Sequence, residues 1–224
     1  LFFKFAGLNH FHWHRVWDQE GTELTTEIIE NAYANPEKFE EAMRKMKEKE
    51  SGSKDADDSG VKNIPNIEFI AEQVKDLGII PCMYHRYYYI TDDMIKEELE
   101  KFAKGETRAE IVKKTEAELF ELYKDPNLSI KPPQLDKRGG AYYSDAACEL
   151  INSIYNDKRT EMVVSTKNNG AISDLPDDVV VEVSAIITAS GPAPIAWGEF
   201  EPAPRGMLQL MKNMELVTIK AAVT

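Results

Sequence analysis

Asn9-His10-Phe11-His12-Trp13-His14-Arg15 decides how the rest of this chain is read. Three of the four histidines stand here at every second position. If residues 8–16 are extended, all three imidazoles leave one face, because strand side chains repeat every two residues. If the stretch is helical, His10 and His14 still share a face. At least two imidazoles converge either way, and imidazole is the commonest transition-metal ligand. The competing reading makes His12 and His14 half-buried polar residues among aromatics. Upstream, residues 1–6 form an apolar run with no turn or cap before it, a buried strand continuing from something cut off. Downstream, Asp18-Gln19-Glu20-Gly21 is a turn signal and predicts a hairpin returning through residues 22–25.

The chain has 224 residues, enough for one domain with a sizeable core. Its formal charge of −12 argues against a nucleic-acid partner, since phosphate backbones are held by clustered Lys and Arg. No apolar stretch is long enough for a membrane span, and residues 1–6 lack a basic leader and a cleavage site. Cys82 and Cys148 have no metal-ligand spacing. Two free thiols suit a reducing cytoplasm, with a single disulfide as the alternative.

Periodicity predicts the remaining elements. Residues 36–49 show Phe39, Ala42, Met43 and Met46 at helical spacing, and 51–60 read as a surface loop. Asn66 caps a helix running to Gly78. Thr91 opens a helix with Asp92 and Asp93 in its first turn and Ile95, Leu99 and Phe102 on its apolar face. Thr107-Arg108-Ala109-Glu110 is a capping box for a helix burying Ile111, Thr115, Leu119 and Leu122, closed by Pro126. A helix over 145–155 packs Ala147, Leu150, Ile151 and Ile154. From residue 160 the period changes to strands at 161–166 and 179–189, with a turn at Asn168-Asn169-Gly170 and a break at Gly191-Pro192. Residues 205–223 are helical, with Met207, Leu210, Met211, Met214 and Val217 on one stripe.

Residues 79–90 carry four tyrosines, a histidine and an arginine close together, costly to bury without partners. Tyr87–Tyr89 read as aromatic packing with hydroxyls reaching solvent. Tyr84 has a chemical reading. A phenol of ordinary pKa about 10 serves as a base only where positive charge favours its anion, and Arg86 or a bound metal could supply that charge. Lys137 and Arg138 precede Gly139-Gly140 at a helix start, where backbone N–H groups can receive an anion; a plain cap beside solvated cations is the other reading.

Gly7-Leu8-Asn9-His10 with its aromatic tail resembles a motif of glycoside hydrolase family 4. Pro81-Cys82-Met83-Tyr84-His85-Arg86-Tyr87-Tyr88 resembles that family's Pro-x-x-Tyr-x-x-Tyr-Tyr run. The segment 137–144 is also similar to a family signature. The resemblance implies an α+β fold, the C-terminal domain of the lactate dehydrogenase and family 4 glycosidase type. Its helices pack on an antiparallel or mixed sheet, and residues 1–224 form one domain. It implies an NAD- and Mn2+-dependent 6-phosphoglycosidase, with overall likeness favouring β-glucosides. His10 would be a metal ligand and Tyr84 the base, with Tyr87 the alternative in a repetitive string. Arg138 and Arg86 would contact a phosphorylated glucoside or disaccharide. A cytoplasmic homo-oligomer, dimer or tetramer, is expected.

Family members carry the Gly-x-Gly-x-x-Gly fingerprint and a cysteine metal ligand in their N-terminal half. Neither motif occurs in this sequence, and no βαβ alternation opens it. This chain alone is therefore expected to be inactive, the C-terminal half of an enzyme working by oxidation, elimination, addition and reduction. The alternatives are a non-catalytic oligomerisation or substrate-shaping domain, and a free-standing histidine metal-binding module.

Overall fold

The computed structural model describes residues 1–35, 41, 73–137 and 143–224. The predicted helix over 36–49, the loop at 51–60, the Asn66 cap and Arg138 lie outside the described residues.

A sheet organises the described residues. Strands β1 (Phe2–Leu8) and β2 (Phe11–Trp17) form a hairpin in full register, from Phe2 opposite Trp17 to Leu8 opposite Phe11. The two-residue β3 (Ile80–Pro81) extends β2 at its outer edge. On the other side β1 pairs with β5 (Val180–Thr188), and β5 with β4 (Glu161–Lys167) and β6 (Gly191–Pro194). The order is β3-β2-β1-β5-β4, every paired strand antiparallel, with β6 also on β5.

The helices beside it include α1 (Thr25–Ala34), α2 (Arg86–Tyr89), α3 (Thr91–Lys104), α4 (Arg108–Leu122), α5 (Tyr143–Asn156) and α6 (Pro202–Val223), and residues 73–77 are helical as well. The core lies on the face carrying Ala6, Leu8, Phe11, Trp13, Val181 and Val183. Leu208 from α6 covers it, with Ile172, Trp197 and Phe200 from the loops that follow β4 and β6. Each such side chain contributes on the order of 2 kcal/mol. Asn168, fully buried, ties the first of these loops: its amide donates to the carbonyls of Ile172, Leu175 and Pro176, and its oxygen accepts from the Ile172 N–H.

The structure changes several expectations. The histidine stretch is not one extended run, because its hairpin turns at Asn9-His10; the expected turn at Asp18 is present and returns through an antiparallel bridge between Trp17 and Glu23 before α1. The break before Gly191-Pro192 is present, β5 ending at Thr188, and the pair then starts a further strand, β6. The apolar stripe of α3 is open, with Ile95, Leu99 and Phe102 all exposed and Met94 buried instead. In α4, Thr115 and Leu119 are buried as expected, Ile111 and Leu122 are not, and the helix ends four residues before Pro126. On α5 it is Ser153 that meets the sheet, donating to the Ile187 carbonyl, while Ile151 faces outward. On α6 the buried positions are Pro204, Leu208 and Lys212, so the expected methionine stripe is only half covered. Both cysteines are free thiols.

Candidate functional site

His10 occupies the tip of the β1–β2 hairpin with φ +60. Histidine is among the residue types that tolerate this left-handed region. The preceding Gly7 has φ +149, and a β-carbon there would lie 2.5 Å from the His12 α-carbon and from the Phe11 carbonyl oxygen. Only glycine lets the strands approach so closely before the turn.

A second segment is strapped beside this tip. β3 places Pro81 opposite Trp13, and the Cys82 N–H donates to the His12 carbonyl at 2.9 Å. A 3-10 turn, Met83–His85, starts there, with the Cys82 sulfur accepting from the Tyr84 N–H at 3.4 Å. Burial pushes the Cys82 thiol up, so it serves as a cap and not as a nucleophile. The result is that His10 and Tyr84 stack, ring centroids 4.2 Å apart and planes 28° from parallel. His10 is exposed and Tyr84 half-buried, so both edges reach solvent.

Tyr87, one turn on, lies 6.3 Å from Tyr84 at 24°. Arg86 is buried, its guanidinium 4.9 Å from the Tyr87 ring and donating to the Tyr87 hydroxyl at 3.1 Å. Its guanidinium is thus engaged with a neighbouring phenol. Tyr87 and Tyr89 are partly exposed and Tyr88 packs against the core, as aromatic packing with wet hydroxyls requires.

His12 and His14 converge, but on the sheet face away from the core, and His10 is not with them. Their rings are 5.1 Å apart, and His12 Nδ1 is 3.5 Å from the Glu182 carboxylate without hydrogen-bond geometry. Burial, helped by the neighbouring His12, holds the His14 pKa down at about 4. The fourth histidine, His85, is fully buried against Phe11 and Trp13, its Nδ1 3.2 Å from the Gln73 amide nitrogen. Burial lowers its pKa to about 3. Sequence reasoning gave no role to Glu182, although a carboxylate inside an almost unbroken apolar strand was the available signal.

Among the described residues no group of three histidine, cysteine or acidic side chains is placed to hold a metal. Mn2+ takes about six donors, so the exposed His10 could supply at most one of them. The described sheet has no parallel crossover unit of the dinucleotide-binding type. No described helix is long and apolar enough to cross a membrane. The surface recess at Tyr123, Asp125, Leu128 and Pro132 shares no residue with the His10–Tyr84 pair.

Fold and site together define an α+β domain that presents an imidazole and a phenol side by side at one end of an antiparallel sheet. The profile of the family 4 glycosyl hydrolase C-terminal domain matches residues 5–224, and the chain belongs to that family. It is 48% identical over 221 residues to the probable 6-phospho-beta-glucosidase of Bacillus subtilis, covering 99% of this chain and 46% of that protein. It is 40% identical over 167 residues to the 6-phospho-beta-glucosidase of Escherichia coli, covering 74% of this chain and 37% of that protein. The Thermotoga maritima 6-phospho-beta glucosidase, solved with manganese, NAD+ and glucose-6-phosphate, superposes with a TM-score of 0.71 at 29% identity. That match covers 98% of this chain and 45% of that one. The chain thus spans a little under half the length of the curated relatives it matches.

Proposed function

We propose that residues 1–224 form the C-terminal, substrate-facing domain of a 6-phospho-β-glucosidase, in which Tyr84 accepts the C2 proton of the sugar and His10 is one metal ligand. The observation that carries the reading is the stacked His10–Tyr84 pair at a solvent-accessible tip, within a chain of this family. When bound, the metal supplies Lewis-acid polarisation and the nicotinamide supplies reversible oxidation at C3, which acidifies the C2 hydrogen. Tyr84 then needs only to reach one C–H bond. The electron pair left at C2 expels the C1 substituent, and no second carboxylate is required. Arg86 acts behind Tyr87, and Arg138 remains the candidate for the anionic phosphate.

The nucleotide, the cysteine ligand and part of the substrate cavity would come from an N-terminal half. By itself this chain then shapes substrate and assembles copies, and we expect no turnover from it. The exposed apolar stripes on α3 and α6 support a homo-oligomer, and two free thiols suit the cytoplasm.

The test is an assay of the chain joined to a family N-terminal half, with NAD+, Mn2+ and 4-nitrophenyl 6-phospho-β-glucoside. Tyr84→Phe should abolish exchange of the C2 proton with solvent while leaving metal content unchanged. Undiminished exchange in that variant removes Tyr84 from the role.

A further inference from the structure

We infer that Tyr87, anchored by Arg86, is a positioning residue for Tyr84. The inference rests on the reading of Tyr84 as proton acceptor and adds what holds that phenol in place. Tyr84 is the middle residue of a three-residue 3-10 turn, a weakly determined piece of backbone. Its backbone is held by the Cys82 sulfur, but no described contact of its own hydroxyl fixes the ring. Two near-parallel rings do touch it. One, His10, stands on an exposed turn and has metal binding as its proposed task. The other, Tyr87, is fixed independently of any ligand, because its hydroxyl accepts from a guanidinium that is only 5% exposed.

That hydrogen bond is charge-assisted and part-buried, which makes it stronger than a neutral bond at the surface. It also explains why a cation is buried one residue from Tyr87. Arg86 lies near Glu97 as well, whose carboxyl is held low chiefly by Lys101 and in smaller part by Arg86. Arg86 is therefore set among partners on its own chain. A phenol that must meet one C–H bond loses rate steeply with small misplacement, up to about a hundredfold for 1 Å. A ring held by stacking keeps its hydroxyl on one bearing.

The experiment uses the full-length enzyme and 4-nitrophenyl 6-phospho-β-glucoside, with and without deuterium at C2. Tyr87→Phe keeps the ring and loses the Arg86 bond; Tyr87→Leu loses both; Arg86→Lys keeps the charge and loses the fork. For Tyr87→Leu we expect kcat to fall about tenfold, KM to change less than about twofold, and the C2 deuterium isotope effect to rise as proton removal becomes slower. Tyr87→Phe and Arg86→Lys should show smaller changes in the same direction. A partly unfolded variant lowers kcat but leaves the isotope effect alone, so the isotope effect separates positioning from stability. An unchanged isotope effect in all three variants, or a rise in KM with kcat held, overturns the inference and, in the second case, makes these residues substrate contacts. If Tyr84→Phe itself retains C2 exchange, the underlying assignment of the base has failed instead.

Discussion

Gly7 and His12 face each other across the first hairpin so closely that a β-carbon on the first would lie 2.5 Å from the α-carbon of the second. The backbone at Gly7 also takes φ +149, which L side chains rarely adopt. Gly7→Ala should therefore cost on the order of 3 kcal/mol and displace the hairpin tip that bears His10. A lowered urea midpoint together with loss of the metal response checks both halves. An alanine variant as stable as the parent would show that the strands separate freely.

His10 itself is exposed, and removing it leaves the core untouched. His10→Asn, which also tolerates the left-handed backbone, should leave stability within about 1 kcal/mol of the parent. In the full-length enzyme it should weaken Mn2+ binding about tenfold or more. Calorimetric titration with Mn2+ measures this, and unchanged affinity would remove His10 from the coordination sphere.

Two histidines tie stability to pH. Burial lowers His85 from 6.5 to about 3 and His14 from 6.5 to about 4, so the folded chain holds both neutral. The unfolded chain takes up these protons first. Stability is thus full above about pH 6.5 and falls as pH drops through 6.5 toward 4 and 3. The loss should be on the order of 3 kcal/mol or more across that window. Denaturant titrations at a series of pH values give the slope, and His85→Phe should flatten it, with the remainder belonging to His14.

Asn168 offers its amide to three carbonyls at once. Asn168→Asp turns the donor into an anion facing three acceptors in a dry site. The expected cost is on the order of 3 kcal/mol at neutral pH, easing as pH falls toward the carboxylate range, because burial against carbonyls makes the aspartate protonate early. Thr107→Ala, which removes one half of an exposed capping box, should cost only about 1 kcal/mol. The ratio of the two is read from urea midpoints.

Element spans were legible where one period ran undisturbed. Residues 161–166 and 179–189 became β4 and β5 within a residue or two, and Gly105 ends α3 in the left-handed conformation. Burial was less legible. The stripe Ile95, Leu99, Phe102 marks a face that wants cover, but the pattern says nothing about where cover comes from, and α3 keeps it open. The hairpin turn was hidden because Asn9-His10 has no glycine or proline, while Asp18–Gly21 looked the stronger punctuation.

The site divides in the same way. His10 and Tyr84 were visible as residue types in recognisable surroundings. Their juxtaposition depends on a hydrogen bond from Cys82 to His12 and on the pairing of Pro81 with Trp13, long-range contacts with no local trace. Tyr87 looked like a rival for the base. Its ring lies 6.3 Å from that of Tyr84 and its hydroxyl accepts from the buried Arg86, relations the sequence alone did not show.

Strand β1 lies between β2 and β5, and the Phe5 amide reaches the Ser184 hydroxyl across 179 residues of chain. During synthesis the β1–β2 hairpin therefore leaves the ribosome with the outer edge of β1 bare and must wait for the distant β5 before that edge is flanked. Such delayed closure favours slow maturation and dependence on chaperones that shield naked strands.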